Sequence, residues 1–206
     1  MIVIWDLETT GFVAPEAKIL EIGAKIVHDD GTIEEKNWVL NNNVEIPEQI
    51  TAINGFTKEI IKAEGRDPVE CLNEFLPYLV NCEKHITHNG LNFDVPFLVN
   101  TLADKFNYNK IHRDGVLENL RLKAFDTAVH FKSEKLKTKM QKKESYLDFA
   151  SRVMLVRAYG VKYNLGLCCE EMKVDKSNIT LHRASGDVHL TYELYKLIKD
   201  KYEITI

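Results

Sequence analysis

The chain has 206 residues, of which 45% are hydrophobic, and a formal net charge of −4. This length can bury one substantial core and predicts a single domain over residues 1–206. The four cysteines form no Cys-x-x-Cys pair and predict reduced, mostly buried thiols. The N-terminus lacks a basic stretch followed by an apolar one, and no run approaches the roughly 20 apolar residues of a membrane span. We therefore expect a cytoplasmic protein without a membrane partner.

The first part of the chain predicts three strands. Residues 2–7 are apolar on both alternating faces, as in a central strand that is covered on both sides. Residues 19–27 and 32–40 predict two further strands, and the His28-Asp-Asp-Gly31 segment between them is typical of a hairpin turn. The sheet is therefore expected to begin with an antiparallel hairpin beside a central strand.

Helices and strands alternate in the rest of the chain. Asp67 is a good N-cap and Pro68 fits the first helical position, so a helix is predicted to begin there. Periodicity and its breaks predict the remaining elements, which are strands at 84–87 and 120–126 and helices from Pro96, over 146–159, over 165–172 and from near Gly186. This order predicts an α/β fold, with a central mixed five-stranded sheet and helices on both faces.

Four carboxylates stand where predicted elements begin or end. Asp6 and Glu8 are two residues apart on the first strand, so both side chains leave by the same face, with Cα atoms about 6–7 Å apart. Asp94 lies at the entry to the helix that Pro96 opens. Such a set of acids is what phosphodiester hydrolysis by two metal ions needs. Exposed acids at a strand end, or a helix N-cap in the case of Asp94, are the alternative interpretations.

The last helix carries the fourth carboxylate on its apolar stripe. Asp187 lies three residues before Leu190 and seven before Leu194, in a stripe that continues to Leu197 and Ile198. An aspartate at the top of this inward face is predicted to point at the sheet, near Asp6, although a helix cap is the alternative.

Two histidines stand close to these acids. His182 lies five residues before Asp187, on a predicted lead-in to the helix, and a group that titrates near neutral pH suits proton removal from a water. His88, with Asn89 and Phe93, precedes Asp94 and suits contact with a phosphate and a base. Taken alone, His88 favours a structural role.

Three motifs together resemble those of the DnaQ-like 3′–5′ exonucleases of the DEDDh group, which have an RNase H-like fold. They are DLETTG at 6–11, HNGLNFD at 88–94 and HRASGD at 182–187. The last is similar to the histidine form of the third motif, because the tyrosine form would place Tyr at the position of Arg183. Minor family features also match at Glu21-Ile-Gly-Ala and Asp126-Thr127. The likeness spans essentially the whole chain.

The resemblance implies specific roles. The implied catalytic residues are Asp6, Glu8, Asp94, His182 and Asp187. The four acids among them would hold two Mg²⁺ or Mn²⁺ ions, with Asp6 between both, and His182 would act as the general base. The residues implied to hold the terminal nucleotide are Leu7, Thr9, Thr10, Phe12, Ile53, Asn54, His88, Asn89 and Phe93. Phe93 or Phe12 would stack on a base. Asn54 departs from the family, which often has His at that position.

We therefore expect a metal-dependent 3′–5′ exonuclease that acts on single-stranded ends, with DNA favoured over RNA, and releases nucleoside 5′-monophosphates. An RNA-trimming enzyme of the same superfamily and a catalytically silent nucleic-acid-binding module are the alternatives. The chain stops shortly after the last helix, so no polymerase-binding tail is expected. The sequence leaves the oligomeric state open.

A polar insertion is predicted around residues 131–160, and within it residues 131–145 are expected to form a surface excursion. It carries the basic cluster Lys132, Lys135, Lys137, Lys139, Lys142 and Lys143. Two interpretations stay open for this cluster. It is either solvated surface or a basic loop that follows the phosphates upstream of the cleaved bond.

Overall fold

The structure, a computed structural model, describes residues 1–177, 179 and 183–201. Its sheet has the strand order β3-β2-β1-β4-β5. The first three strands are antiparallel neighbours, while β4 and β5 run parallel to β1. The predicted mixed five-stranded sheet is therefore confirmed. The strands are β1 (Ile2–Thr9), β2 (Ile19–Val27), β3 (Ile33–Val39), β4 (Lys84–Thr87) and β5 (Ala124–Asp126).

Helices follow or connect these strands. The helices in the described part of the chain are α1 (Glu48–Asn54), α2 (Lys58–Glu64), α3 (Pro68–Asn81), α4 (Asp94–Lys105), α5 (Lys110–Lys123), α6 (Thr127–Lys135), α7 (Tyr146–Leu155), α8 (Leu165–Glu171) and α9 (Ala184–Ile198). A short 3₁₀ turn at Lys199–Lys201 follows α9. No described helix combines the length and the apolar character that crossing a membrane would require.

The side chains of β1 divide between two apolar cores. Val3 and Trp5 belong to a cluster that contains Leu72 and Phe75 of α3. Ile4, on the opposite face, belongs to a second cluster that contains Leu190 of α9. Because successive side chains of a strand point to opposite faces, helices cover both sides of the sheet, as predicted. All four cysteines are free and buried, which confirms the expectation for them.

Four of the described helices, α1, α2, α5 and α6, were not predicted, and α5 shortens a predicted strand. α1 and α2 have few buried residues, and α5 buries only Leu120, so none of these three carries a clear apolar stripe. The strand predicted at 120–126 is wrong in its first half. α5 continues through Lys123, and only three residues pair with β4.

Several boundaries differ by a few residues from the predicted ones. The helix expected from Pro96 begins at Asp94, and the last helix begins at Ala184 rather than near Gly186. The helix predicted over 146–159 ends at Leu155, and the helix predicted over 165–172 ends at Glu171. Leu197, predicted on the buried stripe of the last helix, is half exposed (51%).

The predicted surface excursion at 131–145 is wrong in its first part. Residues up to Lys135 belong to α6, in which Phe131 and Lys132 are buried. The Lys132 Nζ donates to the carbonyl oxygen of Met154 and lies 5.3 Å from the ring centroid of Tyr163. Lys132 is therefore a structural cation that joins α6 to α7, and the irregular surface segment begins after α6.

Candidate active site

Three carboxylates meet at the end of β1 that faces α9. Asp6 and Glu8 share the face of β1 on which Ile4 contributes to the α9 core. Asp187 lies in the first turn of α9. One carboxylate oxygen from each of these three residues lies within 4.8 Å of the other two. The fold thus brings together three of the predicted metal ligands, although they are about 180 residues apart in sequence.

Asp94 adjoins this group at the start of α4. Its side chain is almost fully buried, and Oδ1 accepts a hydrogen bond of 3.0 Å from the backbone N–H of Leu7. Since Leu7 lies between Asp6 and Glu8, this bond ties the N-terminus of α4 to the acidic end of β1. The carboxyl group of Asp94 is also close enough to raise the pKa of Asp6.

The pKa values of these acids are shifted upward. Burial, followed by the charges of Asp94, Asp187 and Glu8, raises the pKa of Asp6 well above its ordinary value. Burial and the neighbouring Asp187 raise the pKa of Glu8 to about 7. Burial also raises the pKa of Asp94 to about 8. Without a cation, the site therefore resists full ionisation at neutral pH.

This donor set fits divalent cations. It offers only carboxylate oxygens, which are the ligands that Mg²⁺ and Mn²⁺ prefer, and a bound cation would relieve the repulsion that raises the pKa values. Asp6, Glu8 and Asp187 would hold one ion. Asp94, next to Asp6, would hold a second.

The start of α9 is anchored to β2 through Glu21. The Nη2 of Arg183 donates to Glu21 Oε1 at 2.7 Å, and the backbone N–H of Ala184 donates to Glu21 Oε2 at 2.8 Å. The guanidinium also lies 4.8 Å from the ring centroid of Phe56. Because Arg183 precedes Asp187 by four residues, this anchor fixes the turn that carries the carboxylate. His182, the predicted general base, lies outside the described residues.

Close packing reinforces this anchor. A Cβ atom on Gly23 of β2 would lie 2.7 Å from the carbonyl carbon of Ala184. Any side chain at Gly23 would therefore displace the first turn of α9. The sequence analysis gave Glu21 and Gly23 no role at the site. The available signal was an acid within a mostly apolar strand, and Glu21 is indeed fully buried.

Comparison with known proteins agrees with this geometry. The family model described as Exonuclease (RNase T) matches residues 3–195. The chain belongs to this exonuclease family. Curated relatives include DNA polymerase III PolC-type of Mycoplasma genitalium, 34% identical over 105 residues, and that of Ureaplasma parvum, 25% identical over 201 residues. These alignments cover 51% and 96% of this chain, but only 7% and 11% of the relatives.

Solved structures of exonucleases share the fold. Escherichia coli exonuclease I in complex with a dT13 oligonucleotide has a TM-score of 0.71 at 14% identity, and the match covers 96% of this chain and 40% of that one. Exonuclease X in complex with 5′ overhanging duplex DNA has a TM-score of 0.60 at 19% identity, with 100% and 95% covered. At these identities the likeness concerns the fold.

The two most exposed of the predicted nucleotide-binding residues of this exonuclease domain are apolar. Phe12, in the loop after β1, is 69% exposed, and Ile53 at the end of α1 is 46% exposed. Phe93 instead packs on Phe97, with ring centroids 4.7 Å apart. Of the two rings predicted to stack on a base, Phe12 is the freer one.

Other predicted contacts with the nucleotide have hydrogen bonds within the protein. The hydroxyl of Thr9 donates to the carbonyl oxygen of Gly11, and the hydroxyl of Thr10 accepts from the backbone N–H of Lys18. Asn54 is buried and its Nδ2 lies 3.4 Å from the carbonyl oxygen of Thr9. These side chains shape the loop that follows the acidic motif. Leu7 is buried and contributes its N–H to Asp94.

His88 and Asn89 are held by residues that follow or end β5 and, in the case of His88, also by Tyr163 ahead of α8. The Nε2 of His88 faces the carbonyl oxygen of Tyr163 at 2.8 Å, and Nδ1 faces the Thr127 hydroxyl at 2.8 Å. Burial lowers the pKa of His88 to about 4. The backbone N–H of Asn89 donates to the buried Asp126, which also accepts from Leu91. Asp126 thus positions the loop that leads to Asp94, a role that the sequence analysis did not assign.

Proposed function

We propose that this exonuclease domain is a metal-dependent 3′–5′ exonuclease that hydrolyses single-stranded DNA ends and releases nucleoside 5′-monophosphates. The observation that carries the proposal is the convergence of Asp6, Glu8 and Asp187 within 4.8 Å, with Asp94 beside them. A binding module has no use for repelling carboxylates at this density, because their burial costs folding free energy.

The residues of the chain divide the chemistry between them. Asp6, Glu8, Asp94 and Asp187 hold the cations, which when bound supply charge stabilisation for the phosphate in the transition state. His182 accepts the proton of the attacking water. Phe12 and Ile53 contact the terminal base, and the buried loop residues Thr9, Thr10 and Asn54 set the shape of that pocket.

DNA is preferred over RNA as the proposed substrate because of the relatives. Those reported above are DNA polymerases by name, and the exonuclease I and exonuclease X structures contain DNA.

The test uses 5′-labelled single strands of DNA and RNA of the same sequence, each with Mg²⁺, with Mn²⁺ and with EDTA. The expected result is a ladder that shortens from the 3′ end on DNA and is absent with EDTA. Mononucleotide products are identified as 5′-monophosphates by chromatography. Activity in EDTA, or shortening from the 5′ end, would contradict the proposal. Faster cleavage of RNA than of DNA would show that RNA is the preferred substrate.

A further inference from the structure

We propose that residues 136–162 form a second nucleic-acid contact, a basic and apolar surface that binds the single strand upstream of the nucleotide being removed. We call it the upstream surface. The proposal rests on the proposed function, since it concerns the strand whose end the acidic site would hold. It assigns a role to residues 136–162, none of which belongs to the acidic site.

The upstream surface concentrates positive charge. Residues 136–162 contain seven basic and two acidic side chains, a formal charge of +5, whereas the whole chain carries −4. Both acids are engaged locally, because Glu144 pairs with Arg152 and Asp148 accepts from the Ser145 hydroxyl. The basic residues that remain are exposed. They are Lys137, Lys139, Lys142, Lys143, Arg157 and Lys162.

None of these six cations forms an ion pair with any residue that the structure describes. Many other lysines of the chain are paired, as Lys110 is with Asp114 and Lys176 with Glu170. A cluster of unpaired cations in an acidic chain is typical of a surface that binds a polyanion.

Apolar side chains are exposed on the same segment. Leu155 is 80% exposed and Tyr159 is fully exposed, with Val156 and Met140 partly so. Exposed aromatic rings among cations are the arrangement by which proteins hold single strands, because bases stack on the rings while phosphates pair with the cations. A duplex would offer its phosphates but keep its bases stacked inside.

Two hydrogen bonds hold the upstream surface together and attach it to α6. The Nη2 of Arg152 in α7 donates to the carbonyl oxygen of Lys139, and the Nζ of Lys135 donates to the carbonyl oxygen of Lys162. Lys135 also pairs with Glu171. Lys132 and Lys135, which the sequence analysis grouped with the basic cluster, are thus the supports of the surface and not part of its free charge.

One end of the upstream surface is linked to the loop that leads to Asp94. Tyr163 follows it directly and contacts His88, which opens the loop leading to Asp94. Tyr159 is four residues from Tyr163, at most about 14 Å away. At about 3.4 Å per stacked nucleotide, the span from Tyr163 to Tyr159 corresponds to at most about four nucleotides. A strand that extends from the acids past Tyr163 would therefore meet Tyr159 within about four further nucleotides.

The experiment compares KM and kcat on DNA strands that differ only in length, a trinucleotide and a strand of about 20 nucleotides. The variant replaces Lys137, Lys139, Lys142 and Lys143 with Ser, and a second variant is Tyr159→Ser. The control, matched in number, removes four exposed cations from α5 and from the end of α9 and the turn after it, by replacing Lys110, Arg113, Lys196 and Lys199 with Ser.

On the long strand we expect the lysine variant to raise KM at least tenfold and to lower the salt slope by about 0.7 for each lost phosphate contact. Its kcat on either substrate should match that of the unchanged chain, as should its KM on the trinucleotide. Tyr159→Ser should raise KM on the long strand with an unchanged salt slope, because stacking involves no counterion release. The control variant should behave as the unchanged chain.

Neutral methylphosphonate linkages locate the contact. Placed a few linkages from the 3′ end, they should weaken binding by the unchanged chain but not by the lysine variant. Equal KM values for all variants on the long strand would overturn the upstream surface while leaving the proposed function intact. Failure to cleave the trinucleotide and the long strand alike, in every variant, would instead overturn the proposed function.

Discussion

Asp6 is the residue on which the acidic cluster centres. Its burial and four surrounding acids raise the pKa of its carboxyl group. A carboxyl group whose pKa is raised on folding binds its proton more tightly in the folded state. Ionising it therefore lowers the free energy of unfolding, and this loss grows as the pH rises from the ordinary value of 3.8 toward the raised pKa.

Asp6→Asn should abolish the activity, and it should also remove the loss of stability that ionisation of Asp6 causes. We expect no measurable turnover with Mg²⁺, and in EDTA a melting temperature above that of the unchanged chain at pH 8, with a difference that shrinks toward pH 5. Added Mg²⁺ should raise the melting temperature of the unchanged chain but not that of the variant. Near-normal turnover of Asp6→Asn would refute the assignment of the cations to this cluster.

We expect His182 to accept the proton of the attacking water and not to bind a metal ion. We expect His182→Ala to lower kcat by about 10²–10⁴-fold, the usual contribution of a general base. The acidic limb of the pH–rate profile should disappear with it, because the limb reports protonation of that base. Calorimetry should give an unchanged Mg²⁺ affinity. A collapse of metal affinity would make His182 a ligand and contradict the proposed role.

At the scale of elements, the site depends on how α9 docks on β2. Glu21 accepts hydrogen bonds from Arg183 and Ala184, and Gly23 leaves room for the backbone of Ala184. Neither residue reaches the carboxylate cluster as a ligand in our assignment. Both are positioning residues, because they hold the turn from which Asp187 projects.

Gly23→Ala tests this docking. The added Cβ would lie 2.7 Å from the backbone of Ala184, so α9 must shift and Asp187 with it. We expect a loss of at least tenfold in kcat together with weaker Mg²⁺ binding, at a smaller change in KM. Gly115→Ala in α5 is the control, because its Cβ meets no atom within 4 Å. That exchange should raise stability by about 0.5–1 kcal/mol. Full activity of Gly23→Ala would show that the docking is not needed.

The sequence predicted β1 and β2 well because these strands are long and mostly buried. β2, for example, buries eight of its nine residues, so its apolar run is unmistakable. The sequence did not predict α5. Leu120 is the only buried residue of this helix, and a helix without an apolar stripe gives no periodic signal. At the site, the acids were found from their motifs. Glu21, Gly23 and Asp126 act through contacts between distant segments, which local patterns do not encode.

At the scale of the whole molecule, a buried histidine joins the sheet to a surface helix. The Nδ1 of His85 in β4 accepts from the indole N–H of Trp5, and its Nε2 donates to the carbonyl oxygen of Leu120 in α5. The side chain is fully buried, and burial lowers the pKa of His85 to about 4 from 6.5. Both ring nitrogens of the neutral imidazole therefore have a hydrogen-bond partner.

His85 should make global stability depend on pH. Its lowered pKa means that its contribution is complete above pH 6.5 and is lost as the pH falls toward 4. The loss should reach about 3 kcal/mol for such a shift. His85→Gln can keep an acceptor and a donor but cannot titrate. We would measure urea unfolding of both chains in EDTA between pH 7 and pH 4.5 and compare them at each pH, so that the acidic cluster cancels. The advantage of the unchanged chain at pH 7 should shrink by about 2–3 kcal/mol at the acidic end. A difference that stays constant over this range would mean that His85 is not the group that titrates.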